Sequence, residues 1–463
     1  MSSQLQTISP IDDSVYVTRE YGSAEDIERC LALAKEVQGN WRRHSIVERA
    51  AICNAMVDAF VGKKQQIAEE LAWMMGRPIR FGPGEVAGFE ERARYMIEIA
   101  AAALVPVEIE PKPGFIRKIK REPLGVVFVI APWNYPYLTA VNSIVPAIMA
   151  GNSVVLKHSA QTPLCAERIA EAFAAAGLPE GVFQYLHLTH DGAEMVIADQ
   201  RVEHVCFTGS VRAGGAIEQA AAGRFIGVGL ELGGKDPAYV RGDADLKHAV
   251  ETVVDGAYFN SGQSCCGIER VYVHETVFQS FVEQAVELVN RYRLGRSDDP
   301  ETTLGPMVNA AAADFVRGQV AEAIEQGAHA HIDPQQFSLD KPGTPYLAPQ
   351  LLTGVNHDMR VMTEESFGPV VGVQKVRSDE EAVELMNDSE FGLTAALFTR
   401  DIERGMALGE AIETGTFFIN RCDYLDPALA WTGVKHSGRG CTLSRLGYEQ
   451  LTRPKSFHVK VEL

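Results

Sequence analysis

The chain has 463 residues, 46% of them hydrophobic and 22% charged; this is ordinary globular usage and excludes a disordered, collagen-like or disulfide-scaffold protein. At about 100–200 residues per domain the length predicts two to three domains, large enough to bury their apolar surface without staples. With 43 basic against 61 acidic side chains the net charge is −18, which repels phosphate backbones and makes nucleic acid and anionic membranes poor partners.

At the N-terminus no basic stretch is followed by an apolar one. No run reaches the roughly 18–20 apolar residues that cross a bilayer, so neither a signal peptide nor a membrane span is expected. Residues 25–105 read as helices, with apolar side chains at three-to-four spacing such as Ile27, Leu31 and Ala34, then Ile52, Met56 and Phe60. Residues 106–123 alternate polar and apolar around Lys112-Pro113-Gly114, a hairpin signal. The basic stretch at 117–121 alternates too and reads as one exposed strand face rather than a binding patch. Strands are then expected at 125–131, 153–157, 182–186 and 204–207, and helices at 137–150, 163–176 and 213–222. Such alternation, with continuously apolar strands, predicts a doubly wound parallel sheet. After Gly233 the pattern resumes with helices at 245–260, 276–293 and 312–326 and strands at 270–273, 395–399 and 416–419, a second α/β unit. The tail, 456–463, alternates again and is expected to pair with the 106–123 segment or with another subunit. No 20–50-residue repeat appears.

The eight cysteines include no CxxC, and Cys265 and Cys266 are adjacent, an awkward geometry for a disulfide. Reduced thiols in a cytoplasm are expected. Among twelve histidines, neither the 329–331 HAH nor the His187/His190 pair has companion ligands at metal spacing, so no metal is expected.

Five stretches carry chemistry-bearing residues. Pro132-Trp133-Asn134-Tyr135-Pro136 follows a strand, where open α/β sheets place ligands, although two prolines also suit a rigid turn. Lys157-His158-Ser159-Ala160 ends another strand; its lysine fits ribose or phosphate oxygens as well as plain solvent. Thr208-Gly209-Ser210 opens a helix, a place that favours an anion such as pyrophosphate or simply an N-cap. Glu231-Leu232-Gly233-Gly234-Lys235 puts a carboxylate at a strand end, fit for a general base or a surface turn. Gly262-Gln263-Ser264-Cys265-Cys266 places two thiols between a helix and a strand, as inert core thiols or as a nucleophile at an oxyanion-binding turn.

In this order and spacing the stretches closely resemble the aldehyde dehydrogenase superfamily, over nearly the whole chain; Glu-Leu-Gly-Gly-Lys and Gly-Gln-Ser-Cys are the most specific. The resemblance implies an α/β fold with a Rossmann-like NAD(P)-binding domain (1–104 and 124–233), an α/β catalytic domain (234–438) and a small β oligomerisation flap (105–123 and 439–463), assembled as a homodimer or homotetramer. It implies Cys265 as nucleophile, Glu231 as general base, and Asn134 holding the oxyanion together with the Cys265 backbone N–H. Lys157, Gly209 and Ser210 match cofactor contacts, with Pro132, Trp133, Ser159, Ala160 and Leu232 on the same turns. Glu365 matches the nicotinamide-ribose contact and Phe367 its packing partner. Tyr135, Leu138, Ser264, Cys266 and Trp431 are the expected substrate pocket. The implied activity is oxidation of an aldehyde to its carboxylic acid with NAD or NADP, through a cysteine thioester.

Three departures matter. Ala160 stands where many NAD-preferring members carry a glutamate that would repel a 2′-phosphate, so both cofactors are expected, with Lys157 or His158 as the phosphate contact. Thr442 stands where some members carry a glutamate thought to relay protons. The Gly-x-Gly of many members is missing from 187–192. The substrate is not legible. Asp423, Tyr424 and Asp426 fit a cationic aminoaldehyde as well as a solvated loop, and no arginine cluster for a dicarboxylate-type semialdehyde is apparent. A CoA-acylating or acyl-phosphate-reducing relative, and a silent binding protein on the same fold, are the alternatives.

Overall fold

The computed structural model describes residues 4–462. Two strands, β1 (Gln4–Ile8) and β2 (Val15–Glu20), pair antiparallel ahead of four helices, α1 (Ala24–Trp41), α2 (Ile46–Val61), α3 (Lys64–Met75) and α4 (Gly82–Ala103). Helices α1 and α2 open on capping boxes, Ser23 with Asp26 and Ser45 with Glu48, which satisfy N–H groups lacking helical partners. The chain continues through β3 (Phe115–Pro123), β4 (Val126–Ala131), α5 (Pro136–Ala150), β5 (Ser153–His158), α6 (Pro163–Ala175), β6 (Phe183–Tyr185), α7 (His190–Ala198), β7 (Val202–Thr208), α8 (Val211–Ala221) and β8 (Gly227–Glu231). Then come β9 (Asp236–Val240), α9 (Leu246–Tyr258), β10 (Ile268–His274), α10 (Phe278–Val289), α11 (Ala310–Glu325), β11 (His329–Ala330), β12 (Gln350–Thr353), β13 (Val370–Val376), β14 (Phe391–Gly392) and β15 (Thr394–Phe398). The last strands are β16 (Thr416–Ile419), β17 (Val434–Lys435), β18 (Gly438–Arg439) and β19 (Thr452–Lys460).

The first sheet has the order β18-β8-β7-β4-β5-β6, parallel except for β18. Every residue of β4 and β5 is buried, because helices cover both faces. Strand β4 is followed by β5 and β6 on one side and by β7 and β8 on the other. The winding therefore reverses at β4 and β7, and a crevice opens beyond their carboxyl ends, the usual ligand position of such sheets. The registers Ile130–Lys157, Phe207–Ile130 and Thr208–Glu231 bring four of the five stretches to that one edge.

The second sheet has the order β11-β12-β13-β10-β9-β15-β16. Its interior strand β9 carries Pro237, which has no N–H to give; the register with β10 shifts there, between Ile268 and Arg270. Residues 106–123 do not form the expected hairpin. Its halves share the isolated bridges Val107–Ile119 and Lys112–Phe115 and a bond from the Arg117 guanidinium to Glu110 O, but no ladder, since Pro106, Pro111 and Pro113 remove ladder donors. Instead β3 pairs over its full length with β19. Among the described residues no helix is long and apolar enough to cross a membrane.

Candidate active site

The Cys265 loop is built on strain. After α9 the chain turns through Asn260 (φ 54°), Ser261 (φ 58°) and Gly262 (φ 70°), three consecutive left-handed residues. Each non-glycine residue there costs about 1–2 kcal/mol, so the turn persists only because its surroundings hold it. The polar groups that hold it are buried. Ser261 Oγ donates to Gly305 O (2.7 Å), Gln263 Nε2 to Asn260 O (3.1 Å), and Val308 N to Gln263 Oε1 (2.8 Å). At Gly262 a Cβ would run into the Gly368 carbonyl, so glycine is required by space as well as by φ. Cys265 emerges half-buried from this loop. Cys266 is buried, and its thiol donates to Asp423 Oδ1 (2.9 Å).

Asn134 is tied to the same loop: its Nδ2 donates to Gln263 O (3.2 Å). An amide nitrogen has two hydrogens, so one remains for an oxyanion. The Asn134 carbonyl accepts from Arg77 Nη2 (2.6 Å) and Asn260 Nδ2 (3.4 Å). Arg77 is ion-paired with Glu85, and both are buried. The other oxygen of Glu85 accepts the N–H groups of Tyr137 (2.9 Å) and Leu138 (3.0 Å), in the first turn of α5. A single buried pair thus fixes Asn134, the start of α5 and the Cys265 loop.

Cys265 faces a cavity of about 550 Å³, which Tyr135, Leu138, Ser264, Cys266, Asp423 and Tyr424 also line. Four of the five expected pocket residues therefore share it. Trp431 is not among its lining: its backbone pairs both ways with Thr442, and it lines an adjoining cavity of about 120 Å³ that shares Tyr424 and Leu425 with the first. Burial pushes the Asp423 carboxyl up to about 6. The expected lack of arginines is corrected, because α4 brings Arg92, and the segment before it Arg77, into the wall. The signal was local. Arg92 sits on the buried face of α4 with Phe89 and Met96, a cation at an apolar helical position.

Glu231 is held elsewhere. Thr208 Oγ1 donates to its Oε2 (3.0 Å) and Thr442 Oγ1 to its Oε1. Burial raises its pKa, while the two hydroxyls and Arg92 oppose the rise. The carboxylate lines a small cavity of about 10 Å³, room for one water, with Thr208, Cys206, Cys441 and Thr442, on a wall separate from the Cys265 cavity. Thr442, where a relay glutamate was missing, is thus a hydroxyl donor to the candidate base.

At the carboxyl edge of the first sheet the residues fit a dinucleotide. Among the described residues the buried Lys157 ammonium has only His158 O (3.4 Å) as partner; burial brings its pKa down to about 8, and an arriving anion would supply the missing counter-charge. Gly209 N donates to Glu231 O (3.0 Å), and a Cβ at Gly209 would strike the Phe207 ring. Ser210 caps α8, its hydroxyl accepting Ala213 N (3.3 Å). Leu232 is buried against α8, where Gly214 leaves it room. Ala160 and Ser159 follow Lys157, and Ala160 O accepts from Thr7 Oγ1 (2.9 Å). The Trp133 ring, next to Pro132, meets the Phe367 ring edge-on at 5.7 Å. His158 does not suit a phosphate. Its Nδ1 accepts Ser159 N (3.0 Å), its Nε2 lies 3.2 Å from Pro136 O, and burial pushes its pKa down to about 3, so it stays neutral.

The Glu365–Phe367 turn is clamped by Glu269, whose carboxylate accepts Ser366 N (2.7 Å), Phe367 N (2.8 Å) and Lys235 Nζ (2.5 Å). Glu365 Oε1 accepts Gly234 N (3.2 Å), and burial followed by the charge of Glu269 pushes its carboxyl up to about 8. A raised carboxyl stays neutral in the fold while the unfolded chain ionises, so stability is full below about 4.5 and is lost as pH rises toward 8. Glu365→Gln keeps the acceptor without the charge. Thermal melts without cofactor should show a larger gain in Tm at pH 8 than at pH 5, by at least about 2 °C; equal gains would show an ordinary carboxyl.

The chain matches the aldehyde dehydrogenase family model over residues 1–457. It is 34% identical over 446 residues to a succinate semialdehyde dehydrogenase, named for NAD(P)+, of Escherichia coli (strain K12), covering 96% of this chain and 95% of that protein. It is 33% identical over 454 residues to a succinate-semialdehyde dehydrogenase, named for NADP(+), of Mycobacterium tuberculosis (strain ATCC 25618 / H37Rv), covering 98% and 99%. The crystal structure of succinic semialdehyde dehydrogenase from Streptococcus pyogenes, in complex with NADP+, superposes with a TM-score of 0.93 at 30% identity, covering 98% of this chain and 100% of that one. A match of this extent decides the assignment: the chain belongs to the aldehyde dehydrogenase family and is an NAD(P)-dependent enzyme that oxidises an aldehyde to its carboxylic acid.

Proposed function

We propose that the chain oxidises a short ω-oxo acid of the succinate semialdehyde type through a covalent Cys265 adduct. The observation that carries the chemistry is the Asn134–Gln263 hydrogen bond, which ties an amide donor to the loop of a cysteine facing the substrate-sized cavity. The Cys265 sulfur attacks the aldehyde carbon, and the oxyanion is stabilised by the free Asn134 Nδ2 hydrogen and the Cys265 N–H. When bound, against Lys157, Gly209, Ser210, Glu365 and Phe367, the nicotinamide supplies the hydride acceptor. Cys265 then holds the acyl group as a thioester. Glu231, turned from its threonines, takes a proton from water; the water oxygen bonds to the acyl carbon, and the sulfur leaves as thiolate. A water-activating base suits hydrolysis rather than transfer to CoA or phosphate.

The substrate class is supported by the relatives' names and by Arg92 in the cavity wall. We take residues 1–104 and 124–233 as the cofactor-binding unit and 234–438 as the catalytic one. The β3–β19 ribbon, which exposes Ile116 and Val459, is taken as the contact of a homodimer or homotetramer. The unpaired cysteines support a cytoplasmic site of action.

The test is absorbance at 340 nm with succinate semialdehyde, butanal and 4-aminobutanal, each with NAD and with NADP, without CoA. Free acid matching reduced cofactor one to one is expected, and turnover that requires CoA or phosphate would overturn the reading. The base has its own signature. Glu231 works ionised, so kcat rises with pH through a pKa above the ordinary carboxylate range. Thr442→Val removes a donor that favours the ionised form and should move that limb up by about one pH unit. Thr442→Ser should restore it, and coincident pH profiles would exclude the role of Thr442.

A further inference from the structure

The charged groups around the Cys265 cavity differ in whether they have partners. Arg77 is taken by Glu85, Asn134 O and Asn260. Asp423 accepts the Cys266 thiol, and Glu91 accepts the Tyr424 hydroxyl (2.5 Å). Arg92 is different. It is 8% exposed, and among the described residues it forms no ion pair. Its Nη1 donates to Leu138 O (2.7 Å) and Asn142 Oδ1 (3.4 Å), while Nε and Nη2 have no acceptor. The Nδ2 of Asn142, the residue that Arg92 holds, is buried without a partner as well. A guanidinium does not lose its proton, so the wall keeps a buried cation and a neighbouring free donor with no carboxylate in direct contact; Glu85, Glu231 and Asp423 act on it only at longer range.

That cation lines the same cavity as Cys265 and Cys266, and lies within electrostatic reach of Glu85, Cys266, Glu231 and Cys265. An anion seated on it would therefore sit close to the reacting carbon, as a carboxylate a few carbons along the same molecule would. The carboxylates of the wall, Asp423 and Glu91, each already accept a hydrogen bond from the protein, whereas Arg92 has donors with no acceptor at all. Resting on the oxo-acid reading above, we propose that Arg92 determines specificity by holding the far carboxylate of the substrate while its aldehyde lies at Cys265. The selecting cation thus comes from α4, at the side of the cavity, and not from the Cys265 loop.

The experiment compares kcat/KM for succinate semialdehyde and for butanal, which has the same carbon chain without the carboxylate. The wild-type enzyme should prefer the oxo acid. Arg92→Met should cut that preference by at least about 100-fold, mostly through KM, since an anchor acts equally on ground and transition states. Arg92→Gln, which keeps a donor for Leu138 O, serves the same purpose should the methionine variant not fold, and Arg92→Lys should recover part of the preference. Succinate should protect Cys265 from iodoacetamide in the wild type and fail to do so in Arg92→Gln. A wild type that prefers butanal overturns the oxo-acid reading itself. A wild type that prefers the oxo acid, with the preference unchanged in both neutral variants, leaves that reading standing and overturns the role of Arg92.

Discussion

Cys265→Ala will lose at least about 10⁴-fold of aldehyde oxidation, while Glu231→Gln will keep one turnover and lose the next. The two residues act on opposite halves of the reaction. Without the sulfur no covalent adduct forms, and removing a nucleophile costs several orders of magnitude even where binding and the oxyanion donors survive. Cys266 cannot take over, because it is buried and its hydrogen is committed to Asp423. Glu231→Gln leaves acylation intact and removes the base that activates water, a loss of about 10²–10⁴-fold. Rapid mixing should therefore show a burst of one reduced cofactor per active site and then a slow steady state, with the acyl group on Cys265 detectable by mass spectrometry of the quenched protein. The glutamine oxygen still accepts from one of the two threonines, and its NH2 donates to the hydroxyl of the other, so the fold is not at issue. Full oxidation by Cys265→Ala, or an absent burst in Glu231→Gln, would sink the respective assignment.

What could be read in the sequence depended on how local its cause is. Strands β4 and β5 were legible because burial on both faces leaves them continuously apolar, and α1 and α2 because one face repeats at helical spacing. The Cys265 and Glu231 stretches stood out through their small neighbours, and the structure gives reasons for two of these: Gly262 lies against Gly368, and Gly234 donates to Glu365. Strand β9 was hidden by its proline and by its place directly after a glycine turn. The partners of Glu231 were not legible. Thr442 is distant in the chain, and the antiparallel pairing of β18 with β8, Gly438 opposite Glu231, brings the C-terminal segment alongside. The same holds for Trp431, whose pairing with Thr442 is equally distant from what local sequence shows. Arg92 was missed: a cation on an apolar helical face was its one local signal, and periodicity says only that such a face is buried, not that it borders the reactive cysteine.

Breaking the Arg77–Glu85 pair will separate stability from catalysis. Removing one partner of a buried ion pair leaves the other uncompensated, at about 3–5 kcal/mol. Arg77→Met and Glu85→Gln should each lose stability on that scale in chemical unfolding, and the double variant should recover much of it, because neither charge is then buried alone. Activity should not recover with it. Arg77 also donates to Asn134 O and, through Nε, to Asn260 Oδ1 (3.3 Å), and no residue in the double variant replaces these bonds. Asn134 then loses one of its holds on the Cys265 loop, and misplacing an oxyanion donor by even about 1 Å costs roughly 10²-fold in rate. The loss should appear in kcat for aldehydes with and without a carboxylate alike, which distinguishes it from the selectivity loss expected at Arg92. Glu85→Gln alone should fall between, since its amide oxygen still accepts Tyr137 and Leu138 N–H and Arg77 still reaches Asn134. A double variant that regained both stability and kcat would show that Asn134 is positioned by Gln263 and Asn260 alone, and that the pair serves the fold and not the chemistry.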